Sequence, residues 1–167
     1  MKKLLLFITI LPLISISQNT LQISESRTIY MEKVISDTNY TKEELYDISL
    51  GWVSEVFNSP DDVISFSDMR TGKIKGSFIS YHPISLSSVA FSTTFTIQVK
   101  DKRLKIKFDN ITNVVYGASL ETYILKKNNT YRSIYSSLTS DVQSSLNNLI
   151  LDFEKYIKDY SSAADDW

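Results

Sequence analysis

The chain has 167 residues, with 18 lysines and arginines, 19 aspartates and glutamates, one histidine and no cysteine. This length is enough for one domain with a sizeable core, and we expect no second domain. The composition excludes a disulfide framework, a cysteine nucleophile and a zinc site of the usual ligands, and it offers no basic field for nucleic acid.

The first seventeen residues are typical of a cleavable secretory signal. They have a positive start at Lys2 and Lys3, an apolar run over 4–14, and small residues up to Ser17, so cleavage would leave Gln18 first. The apolar run reaches only about half of a hydrocarbon core of about 30 Å, which disfavours a membrane anchor. We therefore expect an exported protein, soluble in the periplasm or outside the cell and without a transmembrane span. Loss of the two lysines takes its formal charge from −1 to about −3.

The next two segments are a leader and a strand. Residues 18–27 are polar and unpatterned, so we expect a flexible leader. Residues 28–36 are rich in β-branched and aromatic side chains, and Ile29, Met31 and Ile35 fall on one side of an extended chain. The domain is therefore expected to begin with a strand at 28–36.

A capping box predicts the first helix. Thr41 is followed three residues later by Glu44, so each side chain can bind the backbone N–H of the other residue. The helix should end near Phe57, because Pro60 follows shortly and a proline disfavours the helical conformation in the residue before it. Its apolar face, at helical spacing, consists of Leu45, Ile48, Trp52 and Val56.

Two hairpins are predicted next. Residues 63–69 and 73–81 are extended runs separated by a turn in which Gly72 supplies the positive φ. After a looser stretch around Pro83, the runs 91–100 and 103–109 form a second pair. Apolar and polar side chains alternate along both of these later runs, so one face of the sheet should be apolar and the other wet.

The last third contains an unassigned segment and a long helix. Residues 110–133 are consistent with either an irregular loop or an extra edge strand. Ser140 and Gln143 form a second capping pattern, and apolar residues at helical spacing then continue to Ile157. We expect the tail, residues 161–167, to fray.

This order of elements predicts an α+β fold. The strands and helices follow the sequence β-α-β-β-β-β-α, which suits an antiparallel sheet with two helices packed on one face and the polar face left open. We expect a single domain over residues 28–160.

Three features within residues 28–111 resemble a known family. They are the helix that bears Trp52, the run GKIKG at 72–76, and the hairpin VKDKRLKIKFDNI at 99–111. With the last helix, they resemble exported Bacteroidota proteins known as a domain of unknown function with a TATA-binding-protein-like (TBP-like) fold. The resemblance implies that fold and brings no catalytic residues, and residues 113–132 do not fit the family pattern. Because export and negative charge oppose DNA binding, the likeness covers the fold alone.

Candidate catalytic and metal-binding residues are few. His82 is the one imidazole, and its position before Pro83 is typical of an ordinary surface or loop residue; Ser80 is near it, but without a nucleophile elbow. Asp61 and Asp62 lack the spacing of a calcium loop and suit a solvated loop. We expect no metal site and no cofactor.

The open sheet face is the candidate binding surface. Its polar side chains should stand side by side, although lysine and threonine also keep an exposed sheet soluble and unpaired. The residues are Lys73, Lys75, Thr94, Thr96, Gln98, Lys105 and Lys107.

Three functions are compatible with this sequence. The first is a non-catalytic exported module that binds a protein or glycan partner in the envelope. The second is a hydrolase of polysaccharide or peptide that uses two carboxylates about 5–10 Å apart. The third is a carrier of a small apolar ligand, which requires a cavity between the sheet and the helices.

Overall fold

The computed structural model describes residues 19–36, 38–57, 59–84, 87–125 and 132–164. The expected secretory signal and the cleavage before Gln18 lie outside these residues. In chain order the elements are β1 (Gln22–Ile23), β2 (Ile29–Ser36), α1 (Lys42–Val56), α2 (Pro60–Val63), β3 (Ile64–Asp68), β4 (Lys73–Ile84), β5 (Ser87–Lys100), β6 (Arg103–Asn113), α3 (Leu120–Leu125) and α4 (Arg132–Ala164).

The strands form one antiparallel sheet in the order β1-β2-β6-β5-β4-β3. Strands β3 to β6 follow each other as hairpins, and β2 pairs with β6 at the far side. The long helices α1 and α4 contact each other and pack against the same side of the sheet. The predicted α+β class, with an antiparallel sheet and helices on one face, is confirmed.

Local signals explain the ends of several elements. Thr41 and Glu44 form both hydrogen bonds of the predicted capping box, and α1 ends at Phe57 as expected. Gly72 has φ of +62° in the β3–β4 turn, where a Cβ would also lie 2.6 Å from the Val99 carbonyl oxygen. Lys102 takes the left-handed conformation in the β5–β6 turn. Each turn thus has its own local reason to form.

Large apolar side chains from the sheet and both helices fill the layer between them. Trp52 stacks on Phe153 with ring centroids 4.5 Å apart, and its indole N–H donates to Asp152 at 2.9 Å. Phe57, at the end of α1, stacks on Phe95 of β5. Fully burying a side chain of this size contributes about 1.5–3 kcal/mol, so this layer dominates the stability of the fold.

The expected leader contains part of the sheet. Gln22 and Ile23 form β1 against β2, and the leader is also bound to α4. The backbone N–H of Asn19 donates to the Asn147 side chain, and that of Leu21 donates to the Gln143 side chain, both at 3.1 Å. The sequence concealed this strand because it has two exposed residues at a sheet edge, too few for an alternating pattern.

The expected strand at 63–69 is shorter and follows a helical turn. Pro60 begins α2, and β3 starts only at Ile64. Proline suits this place because the first residue of a helix has no internal partner for its N–H. The looser stretch expected around Pro83 is instead the end of β4.

The segment left open at 110–133 is neither an irregular loop nor an edge strand in its described part. Strand β6 runs on to Asn113, whose side-chain oxygen accepts hydrogen bonds from the N–H groups of Val115 and Tyr116. The short helix α3 follows. This turn depends on one asparagine side chain that bonds its own backbone, a signal that periodicity does not contain.

Helix α4 is longer at both ends than the sequence predicts. It begins at Arg132, so Ser140 lies inside the helix and does not cap it, and Gln143 binds the N-terminal segment instead. It also continues through 161–164, which were expected to fray, and residues 165–167 lie outside the described part. Among the described residues, no helix has the length and apolar character needed to cross a membrane.

Candidate functional site

The open face of the sheet is the side that points away from α1 and α4. Strand register brings the predicted binding residues into rows across this face. Lys73 lies opposite Gln98, which lies opposite Lys105. In the next row, Lys75 lies opposite Thr96, and Thr96 lies opposite Lys107. We call these two the lysine rows.

The third row contains Thr94, which lies opposite Ser77 on β4 and Asp109 on β6. All the predicted residues therefore share one face, because side chains alternate along each strand and the intervening residues are buried under the helices. Lys75 and Gln98 are exposed, and the others are partly exposed.

The lysines of the two rows differ in their partners. The Lys105 ammonium lies 3.7 Å from a Glu32 carboxylate oxygen, and that of Lys107 lies 2.9 Å from Asp109. Lys107 also lies over the Tyr30 ring, 5.1 Å from its centroid. Lys73 and Lys75 take part in no ion pair within the described part of the chain. Among the lysines of the two rows, those without an acidic partner in the described chain are therefore the two on β4.

A carboxylate beside Lys73 is engaged elsewhere. Asp68 pairs with Lys73 in the strand register, but its two oxygens accept from the Arg70 N–H at 2.9 Å and the Thr71 hydroxyl at 3.0 Å. The Thr71 hydroxyl is the main reason that the pKa of Asp68 lies below its usual value. The carboxylate is thus held in the turn, and the Lys73 ammonium remains available to a ligand.

The other end of the open face is apolar, a feature that we did not predict from the sequence. Ile79 and Tyr81 of β4 are 53% and 72% exposed. Beside them, Val114 donates its backbone N–H to Ala90, and Val115 and Tyr116 are also largely exposed. The alternation of side chains along β4 could have indicated this, because Ile79 and Tyr81 are separated from Lys73 and Lys75 by even numbers of residues and so point to the same face.

A cleft of about 430 Å³ lies next to the lysine rows on the β1–β2 side. It contains two carboxylates. The Glu121 carboxylate accepts the N–H of Ile29 at 2.6 Å, and Asp109 forms the ion pair with Lys107. The cleft is lined by Arg27, Thr28, Lys107, Asp109, Asn110, Ser119 and Glu121.

His82 is buried, and its predicted place on the surface or in a loop is wrong. It is 4% exposed, on the side of β4 that faces the helices, with its Nε2 atom 2.9 Å from the Ser80 hydroxyl oxygen. Burial lowers the pKa of His82, and the nearby charge of Asp141 opposes that shift only in part. Because the ring is this enclosed, we interpret its contact with the half-buried Ser80 hydroxyl as satisfying a buried polar atom.

Other acidic residues are scattered. In the described part of the chain, no group of three or more histidine, aspartate or glutamate side chains is placed to hold a metal ion. Asp61 and Asp62 lie in the exposed first turn of α2.

The central part of the chain matches a family model described as a domain of unknown function (DUF4468) with TBP-like fold, over residues 31–113. Residues 31–113 are a DUF4468 domain. This range runs from β2 to β6 and so includes both lysine rows. It also contains the Trp52 helix, and the family resemblance of the sequence is confirmed.

Solved structures show the same fold. The chain is similar to a DUF4468 family protein from Bacteroides ovatus, with a TM-score of 0.67 and 15% identity over 82% of this chain and 90% of the other. It is also similar to a TBP-like protein from Parabacteroides distasonis, with a TM-score of 0.66 and 12% identity over 78% and 93% of the two chains. At this identity the likeness concerns the fold alone. No curated protein matches the sequence.

Proposed function

We propose that this DUF4468 protein is exported and acts as a non-catalytic binding module whose open sheet face holds a carboxylate-bearing partner. The observation that carries the proposal is the pair of lysine rows, in which Lys73 and Lys75 have no acidic partner within the described chain. Lys75 is exposed and Lys73 is partly exposed, and the packed core beneath the sheet holds both strand positions in place, so little reordering of the backbone is needed for binding.

The spacing of the rows indicates what shape of partner fits. Residues two apart on a strand lie about 6.6–6.8 Å from each other, and neighbouring strands lie about 4.8 Å apart. Lys73 and Lys75 therefore suit carboxylates that repeat at about this spacing, as on alternate residues of an extended acidic segment. Thr96 and Gln98, between the lysines, add neutral hydrogen-bonding groups. An acidic protein segment and an acidic glycan in the envelope both have this chemistry.

In-cell crosslinking tests the proposal. A photoreactive residue replaces Gln98 on the open face or, as a control, Asn148, which is exposed on α4. We expect a discrete adduct from position 98 and none of the same size from position 148. Digestion of the adduct with protease or with glycan-cleaving enzymes then distinguishes a protein partner from a glycan. No adduct from position 98, or the same adduct from both positions, would contradict the proposal.

Export is supported by the positive start, apolar run and small residues of positions 1–17. Its test is separate from the binding test. N-terminal sequencing of the protein recovered from the periplasm or the medium should give Gln18 first, and recovery of an intact chain from the cytoplasm would refute it.

A hydrolase is the second candidate, since Asp109 and Glu121 line one cleft. Two carboxylates in a cleft are the minimum for hydrolysis of a glycosidic bond. Both, however, already have protein partners in Lys107 and the Ile29 N–H. Release of sugars or peptides from envelope material by the wild type, and its loss in both D109N and E121Q, would favour this candidate over the first.

The carrier hypothesis has less support. The described layer between sheet and helices holds stacked rings, including Trp52 on Phe153 and Phe57 on Phe95. Such packing favours a filled core over a ligand cavity.

A further inference from the structure

Strand β4 has a neighbouring strand along only one third of one of its sides. Strand β3 pairs with its residues Lys73 to Gly76, whereas β5 pairs with β4 on the other side as far as Ile84. In the described part of the chain, residues 77–83 therefore have no neighbouring strand on the β3 side. This stretch is an open edge of the sheet.

The register shows which backbone groups point out of this edge. The Val99 N–H donates to the Gly72 carbonyl at 2.8 Å, so this pair bonds directly between β5 and β4. Bonded pairs alternate in an antiparallel ladder, so even-numbered β4 residues bond to β5 and odd-numbered residues point outward. The Lys75 carbonyl agrees with this, since it accepts the Ser65 hydroxyl of β3 at 3.2 Å. The outward backbone groups are those of Ser77, Ile79 and Tyr81, and the Pro83 carbonyl.

The side chains of this edge do not protect it. Natural edge strands avoid pairing through charged residues, especially lysine, or through proline. No charged residue lies between Lys75 and Ile84 apart from the buried, titratable His82, and Ile79 and Tyr81 are exposed. Pro83 alone interrupts the edge, since it has no N–H to donate. The edge thus has a short row of unpaired backbone groups, exposed apolar side chains beside them, and an end at Pro83.

We propose that this edge of β4 pairs antiparallel with the same edge of a second copy of the chain. The open stretch runs from Ser77 to Pro83 and is symmetric about Ser80. A two-fold axis at Ser80 places Ile79 opposite Tyr81 of the second copy, and Tyr81 opposite Ile79. Because Pro83 has no N–H, its pair with Ser77 of the second copy keeps one of the usual two hydrogen bonds, from the Ser77 N–H to the Pro83 carbonyl. The two sheets then form one continuous sheet.

The two ends of the open stretch favour pairing with a second copy over pairing with a different extended segment. On one side pairing stops where β3 and α2 approach Gly76, and on the other it stops at Pro83. In a two-fold arrangement, the Ser77 end of one copy faces the Pro83 end of the other, so the whole stretch 77–83 is paired in both copies. It also buries Ile79 and Tyr81 of both copies together, and an isologous contact of this kind closes the assembly at two. Repulsion between the copies is low, since the paired stretch contains no lysine or carboxylate.

The test is the oligomeric state of the purified chain, measured by sedimentation from about 1 to 100 μM. We expect a dimer that Ile79→Lys weakens at least about tenfold, because it places two like charges in the new ladder. Thr112→Lys is the matched control: it adds the same charge to the same face but on β6, two strands away from the edge, and should leave the dimer intact. Circular dichroism verifies that both variants are folded.

Disulfide trapping tests the register independently, since the chain has no cysteine of its own. A mixture of Ile79→Cys and Tyr81→Cys chains should form a mixed disulfide under mild oxidation, whereas Thr112→Cys chains should not crosslink. A chain that stays monomeric at about 100 μM overturns the proposal. So does a dimer that Ile79→Lys leaves unchanged, or an Ile79-dependent complex with another protein in place of the dimer.

Discussion

The two faces of the sheet are built from alternate residues of the same strands, and they serve different purposes. On β4, Ile74 is buried under the helices while its neighbour Lys75 is exposed on the open face. On β5, Phe95 and Ile97 are buried, and Thr96 between them faces outward. One strand therefore contributes to the core and to the candidate binding surface at the same time.

The faces also differ in how firmly their side chains are held. The buried face holds rings and aliphatic groups whose substitution leaves cavities. The open face holds Lys73 and Lys75 without an ion pair in the described chain, and Lys105 and Lys107 in partly exposed ion pairs worth about 0–1 kcal/mol each. Substitutions on the buried face should thus change the free energy of unfolding, and those on the open face should change binding with little effect on stability. The following predictions test that separation.

The largest effect is expected for Trp52→Ala. It removes the ring stacked on Phe153 and leaves the Asp152 carboxylate without its indole donor. We expect the free energy of unfolding to fall by about 3–5 kcal/mol in urea titrations. Lys75→Ala on the open face is the control and should change it by less than about 0.5 kcal/mol. Similar losses in the two variants would refute the separation of the faces.

The next effect is expected for Gly76→Ala, in the middle of β4. A Cβ at this position would lie 2.5 Å from the Val63 carbonyl oxygen and 2.6 Å from the Phe95 ring. We expect a loss of about 1–3 kcal/mol, since the backbone oxygen has little freedom to move. Ser77→Ala, the adjacent open-face residue, should be nearly neutral. Thermal unfolding measures both, and a neutral Gly76→Ala would mean that the buried face is loosely packed there.

A smaller effect should appear in the pH dependence of stability. Burial lowers the pKa of His82 in the folded chain, so the unfolded chain binds a proton more readily. The contribution of His82 to stability is therefore complete above its unfolded pKa, and it declines as the pH falls toward the lower, folded pKa.

Between about pH 7.5 and 5.5 the wild type should then lose more stability than His82→Gln. Urea titrations at the two pH values measure this difference. Equal losses in the two proteins would show that His82 is protonated as readily in the folded chain as in the unfolded one.

The smallest effect is expected for Glu32→Gln, which removes the ion pair with Lys105. Both side chains are about one-third exposed, 34% and 39%, so solvent screens the attraction. We expect a loss below about 0.5 kcal/mol that disappears in high salt. A loss above about 1 kcal/mol would instead make this part of the open face a contributor to the fold.

Features set by neighbouring residues could be predicted from the sequence. The capping box of Thr41 and Glu44 and the turn at Gly72 depend on contacts a few residues apart, and both are present in the structure. Alternation along β5 and β6 was sufficient to place Thr94, Thr96 and Gln98 on one face with Lys105 and Lys107.

Features set by distant residues could not. The strand at Gln22 forms because β2 and α4 provide its partners, and His82 is buried because the helical layer covers the end of β4. The cleft with Asp109 and Glu121 joins β6 to α3, across a turn with no periodic signal. Lys105 has an acidic partner, Glu32, because β2 lies beside β6. The order of elements along the chain did not reveal that these two strands are neighbours.

The central claim is that the open face binds through the lysines of β4. Its most direct test is the crosslinking yield from a photoreactive residue at position 98 in cells that produce K73E/K75E, compared with K155E, which reverses a lysine on α4. Charge reversal on β4 should lower the yield at least about fivefold, and K155E should leave it unchanged. An unchanged yield in K73E/K75E, or an equal loss in K155E, would contradict the claim.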